Sequence, residues 1–319
     1  MMKSPDLHVV FGTGPAGMTL ADELLTRGRR VRLVNRRGTL AEPLPAGAEV
    51  VAGDASDLGA VRELCQGAAV IYNCTHAPYE HWPETLPRLQ ENMIEGAAAT
   101  GARLVVIDTL YLYGPTGGEP MTEAMPHRAL SRKGRLRAQL AWGYLQAHRV
   151  GKAQVAIGRA ADFFGPRVTN SALGQFVFPA ALGGQPMVTF GDVDQPHSYS
   201  YMPDVARGLA TLGERDEALG RDWLLPVAPV RTTREVAQGI GDVIGKPVHV
   251  VGLPDLASVA ELGVVSPIFL AEYDELFYQY TEPQIVDSTS ITRELGVAAT
   301  PLDDALAETV RWYRSGDAA

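Results

Sequence analysis

The sequence has 319 residues, which is long enough for one large α/β domain with a smaller lobe. It carries 28 Lys and Arg against 37 Asp and Glu, and the net charge of −9 argues against a nucleic-acid-binding or anionic-membrane surface. The two cysteines, Cys65 and Cys74, lack metal-ligand spacing, and no apolar run approaches about eighteen residues, so we expect a cytoplasmic protein without structural metal, disulfide framework or membrane span.

The first predicted elements are a strand, a glycine-rich turn and a helix. No apolar signal-peptide stretch precedes the strand at 7–11. Three glycines follow it, Gly12, Gly14 and Gly17, and a helical pattern then runs to Gly28. A second alternating apolar run completes a βαβ unit. In such a unit Gly12 makes the sharp turn, Gly14 lets backbone amides approach a pyrophosphate, and Gly17 allows the helix to pack on the strand.

This turn predicts a dinucleotide-binding site. The N-terminus of its helix, with Pro15 and Ala16, offers unpaired N–H groups and a partial positive charge to the pyrophosphate. A GxGxxG spacing needs a strand before it and a helix and strand after it, and all are predicted here.

The residues after the second strand indicate which dinucleotide is bound. An NAD site usually has Asp or Glu there for the ribose 2′-hydroxyl, whereas this chain has Asn35, Arg36 and Arg37, which would attract a 2′-phosphate. We therefore favour NADP(H) over NAD(H). The alternative, that both arginines are ordinary solvated loop charges, stays open. The turn Gly-Thr-Gly-Pro-Ala-Gly also resembles an FAD-binding turn, but the acid expected at Asn35 is missing.

The chain then alternates predicted strands and helices. The strands lie at 49–54, 69–73, 103–107 and 153–157, and the helices at 58–65 and 84–100. Repeated alternation requires parallel crossovers. We predict an α/β fold, a doubly wound (Rossmann) parallel sheet with helices on both faces.

Polar residues follow two of these strands at the edge where ligands bind in such sheets. Asp54 and Ala55 end one strand and could meet the adenine, while Asp54 as the cap of the next helix is an equally open interpretation. Cys74, Thr75 and His76 follow the next strand and face the same crevice. We predict Cys74 and Thr75 as cofactor contacts and His76 as a substrate contact.

Six motifs follow one another along the chain: the glycine turn, Gly53-Asp54, Asp108-Thr109-x-x-x-Tyr113-Gly114, Lys133, Gly158-Arg159-x-x-x-Phe-Phe-Gly-Pro166, and Tyr201-Met-Pro-Asp204-Val-Ala. In this order they resemble the extended short-chain dehydrogenase/reductases, the NAD-dependent epimerase/dehydratase family. The resemblance covers nearly the whole chain. The GxGxxG turn, in place of the usual GxxGxxG, is similar to that of atypical members.

The resemblance implies roles for three residues. Thr109 falls on the catalytic Ser/Thr, which would hydrogen-bond the substrate oxygen. Lys133 would bind the nicotinamide ribose, unless it is a solvated lysine of a basic run. The catalytic Tyr-x-x-x-Lys motif is broken, because Ala129 stands four residues before Lys133. Tyr111 is our predicted replacement for the proton donor, with a packing role as the alternative.

The resemblance also places Arg159 and Phe163 beside the nicotinamide. Residues 167–202 depart from the strand-helix rhythm, which predicts a substrate lobe with four polar contacts, Asn170, Ser171, Gln175 and His197. Asp204 is interpreted as a helix cap.

We therefore predict an NADP-binding domain over 1–166, to which 187–222 contributes, and a smaller, mostly helical substrate-binding lobe over 167–319, interleaved with it. The predicted function is an NADP(H)-dependent oxidoreductase acting on a carbonyl or alcohol of a small polar molecule. An NADPH-binding sensor or scaffold without turnover, and an epimerase or isomerase using bound cofactor, are the alternatives. The resemblance further implies a homodimer formed through helices 84–100 and 130–149.

Overall fold

The computed structural model describes residues 6–263 and 265–316. Its strands are β1 Leu7–Phe11, β2 Arg30–Asn35, β3 Ala48–Ala52, β4 Ala68–Asn73, β5 Arg103–Asp108, β6 Gln154–Arg159, β7 Asp162–Phe164, β8 Met187–Phe190, β9 Pro196–His197, β10 Tyr199–Tyr201, β11 Asp222–Leu224, β12 Arg231–Thr232 and β13 Val250–Leu253.

The α-helices are α1 Pro15–Thr26, α2 Leu58–Leu64, α3 Trp82–Thr100, α4 Arg132–Arg149, α5 Phe178–Leu182, α6 Met202–Glu214, α7 Thr233–Ile244, α8 Leu256–Glu261, α9 Pro267–Tyr273, α10 Tyr278–Thr281, α11 Thr289–Leu295 and α12 Leu302–Ser315. Short 3₁₀ turns lie at Tyr79–His81, Tyr111–Tyr113, Asp216–Ala218 and Asp274–Leu276. None of the helices in the described ranges is both long enough and apolar enough to cross a membrane.

Seven strands form one parallel sheet in the order β11-β6-β5-β4-β1-β2-β3. The chain reverses its direction of travel across the sheet between β1 and β4. In open α/β sheets the crevice at the carboxyl ends of the strands beside such a reversal is where ligands bind. The glycine turn follows β1, and Cys74 to His76 follow β4, so both stretches lie at this crevice.

Alternating strand residues supply two cores. On β1, Val9 and Phe11 belong to the hydrophobic cluster that includes residues of α2, α3 and α4, whereas Val10 belongs to the cluster that includes α1 and α6. Both faces of the sheet are covered, as burial of a parallel sheet requires. The predicted doubly wound sheet is confirmed.

The C-terminal lobe is smaller and mostly helical, as predicted. Helices α7 to α12 dominate it, and short pairs β8–β13 and β9–β12 join its segments. Two elements after residue 166 lie with the main sheet instead: β11 pairs with β6, and α6 packs on α1. The division into domains at 166/167 stays a prediction.

Two aspartates differ from their predicted roles as helix caps. Asp57, and not Asp54, caps α2, because its carboxylate accepts from the N–H groups of Gly59 and Ala60 at 2.8 and 3.2 Å. The interpretation of Asp54 as the cap is wrong. Asp204 makes no capping bond in α6. It is 1% exposed and accepts from the N–H and hydroxyl of Thr300 at 2.7 and 2.6 Å, so it anchors the C-terminal segment.

A buried histidine on β1 makes stability depend on pH. His8 is 2% exposed, its Nδ1 lies 3.1 Å from the Tyr72 hydroxyl, and burial lowers its pKa from 6.5 to about 4. Between these values the unfolded chain binds more protons than the folded chain, so stability falls as the pH falls. We expect a loss of about 3 kcal/mol from His8 alone by pH 4.

Denaturant titrations at pH 7 and pH 4 would measure this loss in the free energy of unfolding. His8→Phe should lose about 3 kcal/mol less than the parent between the two pH values, whereas the exposed His81→Ala should match the parent. The same pH dependence in His8→Phe and the parent would contradict the assignment.

Candidate active site

The glycine turn leaves an open approach to the N-terminus of α1. Gly12 has φ +102°, and a Cβ there would overlap the carbonyl of Cys74. A Cβ at Gly17 would overlap the carbonyl oxygen of Gly12, whereas a Cβ at Gly14 would meet nothing within 4 Å. Pro15 and Ala16 then open the helix. This open space at Gly14 is what close approach of a pyrophosphate needs.

The end of β2 is held in a defined turn by one side chain. The Asn35 amide nitrogen donates to the Thr13 hydroxyl (3.0 Å) and the Thr39 carbonyl (2.8 Å). The Asn35 amide oxygen accepts from the N–H groups of Arg37 and Gly38 at 3.0 and 2.7 Å. Because these bonds occupy the Asn35 side chain, the turn is fixed before any ligand binds.

Two free cations project from this turn. The exposed side chains of Arg36 and Arg37 line an open cavity of about 640 Å³ together with Thr13 and Asn35. Neither guanidinium forms an ion pair with any residue that the structure describes. Hydrogen bonds from Ser56 hold the pKa of Asp54 below its usual value, and the charge of Arg36 acts in the same direction. The two arginines at this turn can therefore bind an anion, and the charge of Arg36 also acts on Asp54.

Three of the predicted cofactor contacts after β3 and β4 have hydrogen-bond partners within the protein. Ala55 is buried, and its carbonyl accepts from the Asn92 amide at 2.9 Å. The Cys74 N–H donates to the Phe11 carbonyl at 2.8 Å, and burial raises the pKa of its thiol to about 12, so the thiol is unreactive. The Thr75 hydroxyl donates to the Asn73 side chain at 2.6 Å.

A buried charge cluster lies at the ends of β5 and β6. The Asp108 carboxylate binds Arg137 at 3.1 Å and also binds Arg159. The Arg159 side chain is fully buried and reaches Asp222 at 2.9 Å through its Nε. The backbone of Arg159 is engaged as well, since β6 pairs with β5 and β11 there and the Arg159 carbonyl accepts from the Leu225 N–H at 2.8 Å. A nicotinamide contact at Arg159 stays a prediction.

Thr109 follows this cluster and carries an unpaired hydroxyl. Its N–H donates to the Asp108 carboxylate at 2.8 Å, which fixes the backbone at the strand end. Its Oγ1 is buried and has no hydrogen-bond partner among the described residues. Buried polar atoms are nearly always paired, so this unpaired hydroxyl at the end of β5 is a candidate contact for a ligand atom.

Lys133 is held by the C-terminal lobe. Its side chain is 4% exposed, and its ammonium binds the carboxylates of Glu275, at 3.0 Å, and of Glu272. One turn later on α4, Arg137 contacts Asp108 and lies 4.2 Å above the Trp82 ring. The α4 cation that contacts Asp108, next to Thr109, is therefore Arg137. A ribose contact for Lys133 stays a prediction.

Tyr111 is packed in an aromatic cluster. It is 9% exposed, stacks on Trp82 with ring centroids 6.1 Å apart, and bonds the Tyr79 hydroxyl at 2.9 Å. Burial raises its pKa well above 10. These contacts favour the packing role that the sequence left open. Sequence reasoning missed Tyr79, although its place just after β4 was a signal.

The predicted substrate contacts do not form one group. His197 bonds the Asp162 carboxylate at 2.9 Å, and Ser171 donates to the carbonyl of Phe163. Asn170 and Gln175 are exposed, and their side chains make no hydrogen bond with the described part of the chain. His76 is exposed too, with its ring edge near the Tyr79 and Trp82 rings. No cluster of His, Cys, Asp or Glu within 6–263 and 265–316 could hold a metal.

Comparisons with known proteins give the family of this chain and solved structures with a similar fold. The model of the NAD dependent epimerase/dehydratase family matches residues 9–225. UDP-glucuronic acid decarboxylase 1 of Arabidopsis thaliana is 29% identical over 136 residues, which are 39% of this chain and 30% of that protein. The chain thus matches about a third of the length of this curated relative.

Solved structures share the fold over nearly the whole chain. An epimerase from Methanothermobacter thermautotrophicus has a TM-score of 0.79 at 19% identity, covering 98% of this chain and 93% of its own. A nucleoside-diphosphate-sugar epimerase from Pseudomonas aeruginosa has a TM-score of 0.75 at 18% identity, covering 98% of this chain and 99% of its own. UDP-glucuronic acid 4-epimerase from Bacillus cereus, in complex with UDP-glucuronic acid and NAD, has a TM-score of 0.76 at 16% identity. The match covers 97% of this chain and 99% of that one.

Proposed function

Because the chain belongs to the NAD-dependent epimerase/dehydratase family, we propose that it is an NADP(H)-dependent oxidoreductase that acts on a carbonyl or alcohol of a small polar molecule. The observation that carries this proposal is the pair of unpaired guanidinium groups, Arg36 and Arg37, beside an open cavity at the end of β2. The Bacillus cereus structure contains NAD. The choice of NADP(H) for this chain rests on its own residues.

The residues at the crevice fit a dinucleotide. The N-terminus of α1 and the open face of Gly14 would hold the pyrophosphate, and Arg36 and Arg37 the 2′-phosphate. When bound, the nicotinamide supplies or accepts a hydride. The unpaired Thr109 hydroxyl would donate a hydrogen bond to the substrate oxygen on which charge develops, which stabilises the transition state.

Cofactor choice is tested by removing the two cations. The parent should bind NADPH more tightly than NADH, and Arg36→Ala and Arg37→Ala should each weaken NADPH binding by about tenfold or more, because a charge-assisted phosphate contact is worth about 1.5–3 kcal/mol. Their affinity for NADH should hardly change. Fluorescence titration with each cofactor gives the dissociation constants.

Arg30→Ala is the matched control for this experiment. Arg30 is exposed, lacks an ion pair within the described residues, and starts β2 at the end opposite to Asn35. Its removal should change neither affinity. Equal affinities of the parent protein for NADPH and NADH would overturn the proposed cofactor.

Two other functions have support. The family includes epimerases, which favours isomerisation with bound cofactor and no net redox change. The absence of tyrosine at Ala129 favours a sensor that binds NADPH without turnover. Net oxidation of NADPH by a carbonyl substrate would distinguish the oxidoreductase from both. Assembly as a homodimer through α3 and α4 also stays a proposal, and Trp142 on α4 is 66% exposed.

A further inference from the structure

A second phenol lies at the crevice, on the connection between β4 and α3. Tyr79 opens the 3₁₀ turn that follows β4, and its side chain is partly exposed. Strand β4 pairs in parallel with β5, and Thr109 follows β5. Tyr79 and Thr109 are therefore on neighbouring connections at the same edge of the sheet.

The contacts of Tyr79 hold its hydroxyl in a defined place. The hydroxyl bonds the Tyr111 hydroxyl at 2.9 Å, and the ring packs on Trp82 with centroids 4.8 Å apart. The Lys133 ammonium lies 5.5 Å from the centre of the Tyr79 ring. In the hydrogen-bonded pair, Tyr111 is buried and Tyr79 is partly exposed, so Tyr79 has the more accessible side chain of the two.

We propose that Tyr79 is the proton donor of the reaction, in place of the tyrosine that is missing from α4, and that Tyr111 is a positioning residue that hydrogen-bonds the Tyr79 oxygen. The inference rests on the proposed reductase function. It replaces the prediction of Tyr111 as the proton donor, because Tyr79 is the more exposed phenol of the pair.

The charges around Tyr79 keep it protonated near neutral pH. Burial raises the pKa of Tyr79 above 10, and the charge of Asp162 raises it too. The hydrogen bond from Tyr111 and the charge of Arg137 lower it. The ammonium of Lys133 is balanced by two carboxylates. The groups that face Tyr79 from the packed elements are His76, Tyr111, Lys133, Arg137, Asp162 and Tyr273. A protonated phenol is the state that a donor needs.

The proton and the electrons balance in the reductive direction. The carbonyl carbon of the substrate gains a hydride with its electron pair from NADPH, and the carbonyl oxygen gains the proton of the Tyr79 hydroxyl. The O–H bonding pair stays on Tyr79 as a phenolate, which accepts a hydrogen bond from Tyr111. The products are the alcohol and NADP⁺, and a proton from water restores the Tyr79 phenol.

Three phenylalanine variants test this assignment. Tyr79→Phe should lower turnover by about 10²–10⁴-fold while NADPH affinity is retained. Tyr111→Phe should lower it less, by about tenfold, and should move the alkaline limb of the pH profile upward, because the phenolate of Tyr79 loses a stabilising donor. Tyr273→Phe is the matched control, since its hydroxyl also bonds a tyrosine, Tyr280, at 2.9 Å, and should keep the turnover of the parent.

Parental turnover in Tyr79→Phe would overturn the assignment, and so would an equal loss in Tyr273→Phe, which would mean that any broken hydrogen bond between tyrosines in this cluster lowers turnover. A pH profile of Tyr111→Phe unchanged from the parent would remove its positioning role. Failure of the parent to oxidise NADPH with any carbonyl compound, with NADPH bound, would overturn the reductase function and the donor role with it.

A titration without turnover tests Tyr79 separately from the function. Burial raises the pKa of Tyr79, and the hydrogen bond from Tyr111 lowers it. The tyrosinate absorbance step that Tyr79→Phe removes from the NADPH-bound protein should therefore move to higher pH in Tyr111→Phe and keep its place in Tyr273→Phe. The same position of that step in Tyr111→Phe and in the parent would contradict the inferred contact between the two phenols.

Discussion

Replacement of Thr109 by valine is expected to lower turnover by about 10²–10³-fold, which is the usual cost of removing one donor to a developing oxyanion. Valine keeps the shape of threonine and removes only the hydroxyl. That hydroxyl is buried and has no partner in the described chain, so no internal hydrogen bond is lost with it. The effect should therefore fall on the reaction and not on folding.

Steady-state kinetics with a carbonyl substrate, once one is established, would measure the loss. The affinity for NADPH should hardly change, because the pyrophosphate and the 2′-phosphate are held by α1 and by the turn after β2. Thr19→Val is a matched control, because Thr19 in α1 carries another buried hydroxyl without a partner in the described residues. It should keep the turnover of the parent. Full activity in Thr109→Val would mean that the proposed mechanism is wrong.

The sheet could be predicted from the sequence because its determinants are local. Alternating apolar residues on β1 divide between two cores, and the glycines at 12 and 17 sit where a side chain would collide with a neighbouring carbonyl. Each of these features appears within a few residues of the chain. The two cations after β2 are local in the same sense, since the cavity that they line lies beside the turn that contains them.

Two buried charged contacts could not be predicted, because their partners lie far away in the sequence. Lys133 meets Glu272 and Glu275, which belong to the C-terminal lobe, and Asp204 meets Thr300. A motif specifies the residue at each position but not the group that approaches it in the folded chain. The basic run around Lys133 therefore indicates a solvated lysine, and the family resemblance implies a ribose contact, while the side chain is in fact buried and bound to two carboxylates.

The two tyrosines show the same limit at the candidate site. The sequence favours Tyr111 as the proton donor, because it stands near Thr109 and the other nearby tyrosine, Tyr113, matches a residue that is mainly structural in the family. The 3₁₀ turn at Tyr111–Tyr113 directs it into the aromatic cluster, where Trp82 and Tyr79 cover it. Tyr79 is distant from Thr109 in sequence, and the two lie on neighbouring connections only because β4 and β5 are adjacent in the sheet.

Removal of the guanidinium at the centre of the buried charge cluster should be strongly destabilising. Arg159 has a fully buried side chain and joins Asp108 to Asp222. In Arg159→Met both carboxylates lose this partner, although Asp108 keeps Arg137. Removing one partner of a buried ion pair costs about 3–5 kcal/mol, because the remaining charge stays in a low-dielectric interior. Denaturant unfolding at neutral pH would measure this loss in the free energy of unfolding.

Arg167 provides the control, since it also joins two carboxylates, those of Asp22 and Glu42, but is 23% exposed and both acids are more exposed still. Water screens such pairs, so Arg167→Met should cost about 1 kcal/mol or less. Equal losses in the two variants would show that burial of the Arg159 cluster does not increase the cost of breaking its ion pairs.

A double variant separates the effect of charge from that of packing. Arg159→Met/Asp222→Asn removes one uncompensated carboxylate, so it should be more stable than Arg159→Met alone. Packing loss alone predicts no such recovery, because methionine occupies position 159 in both proteins.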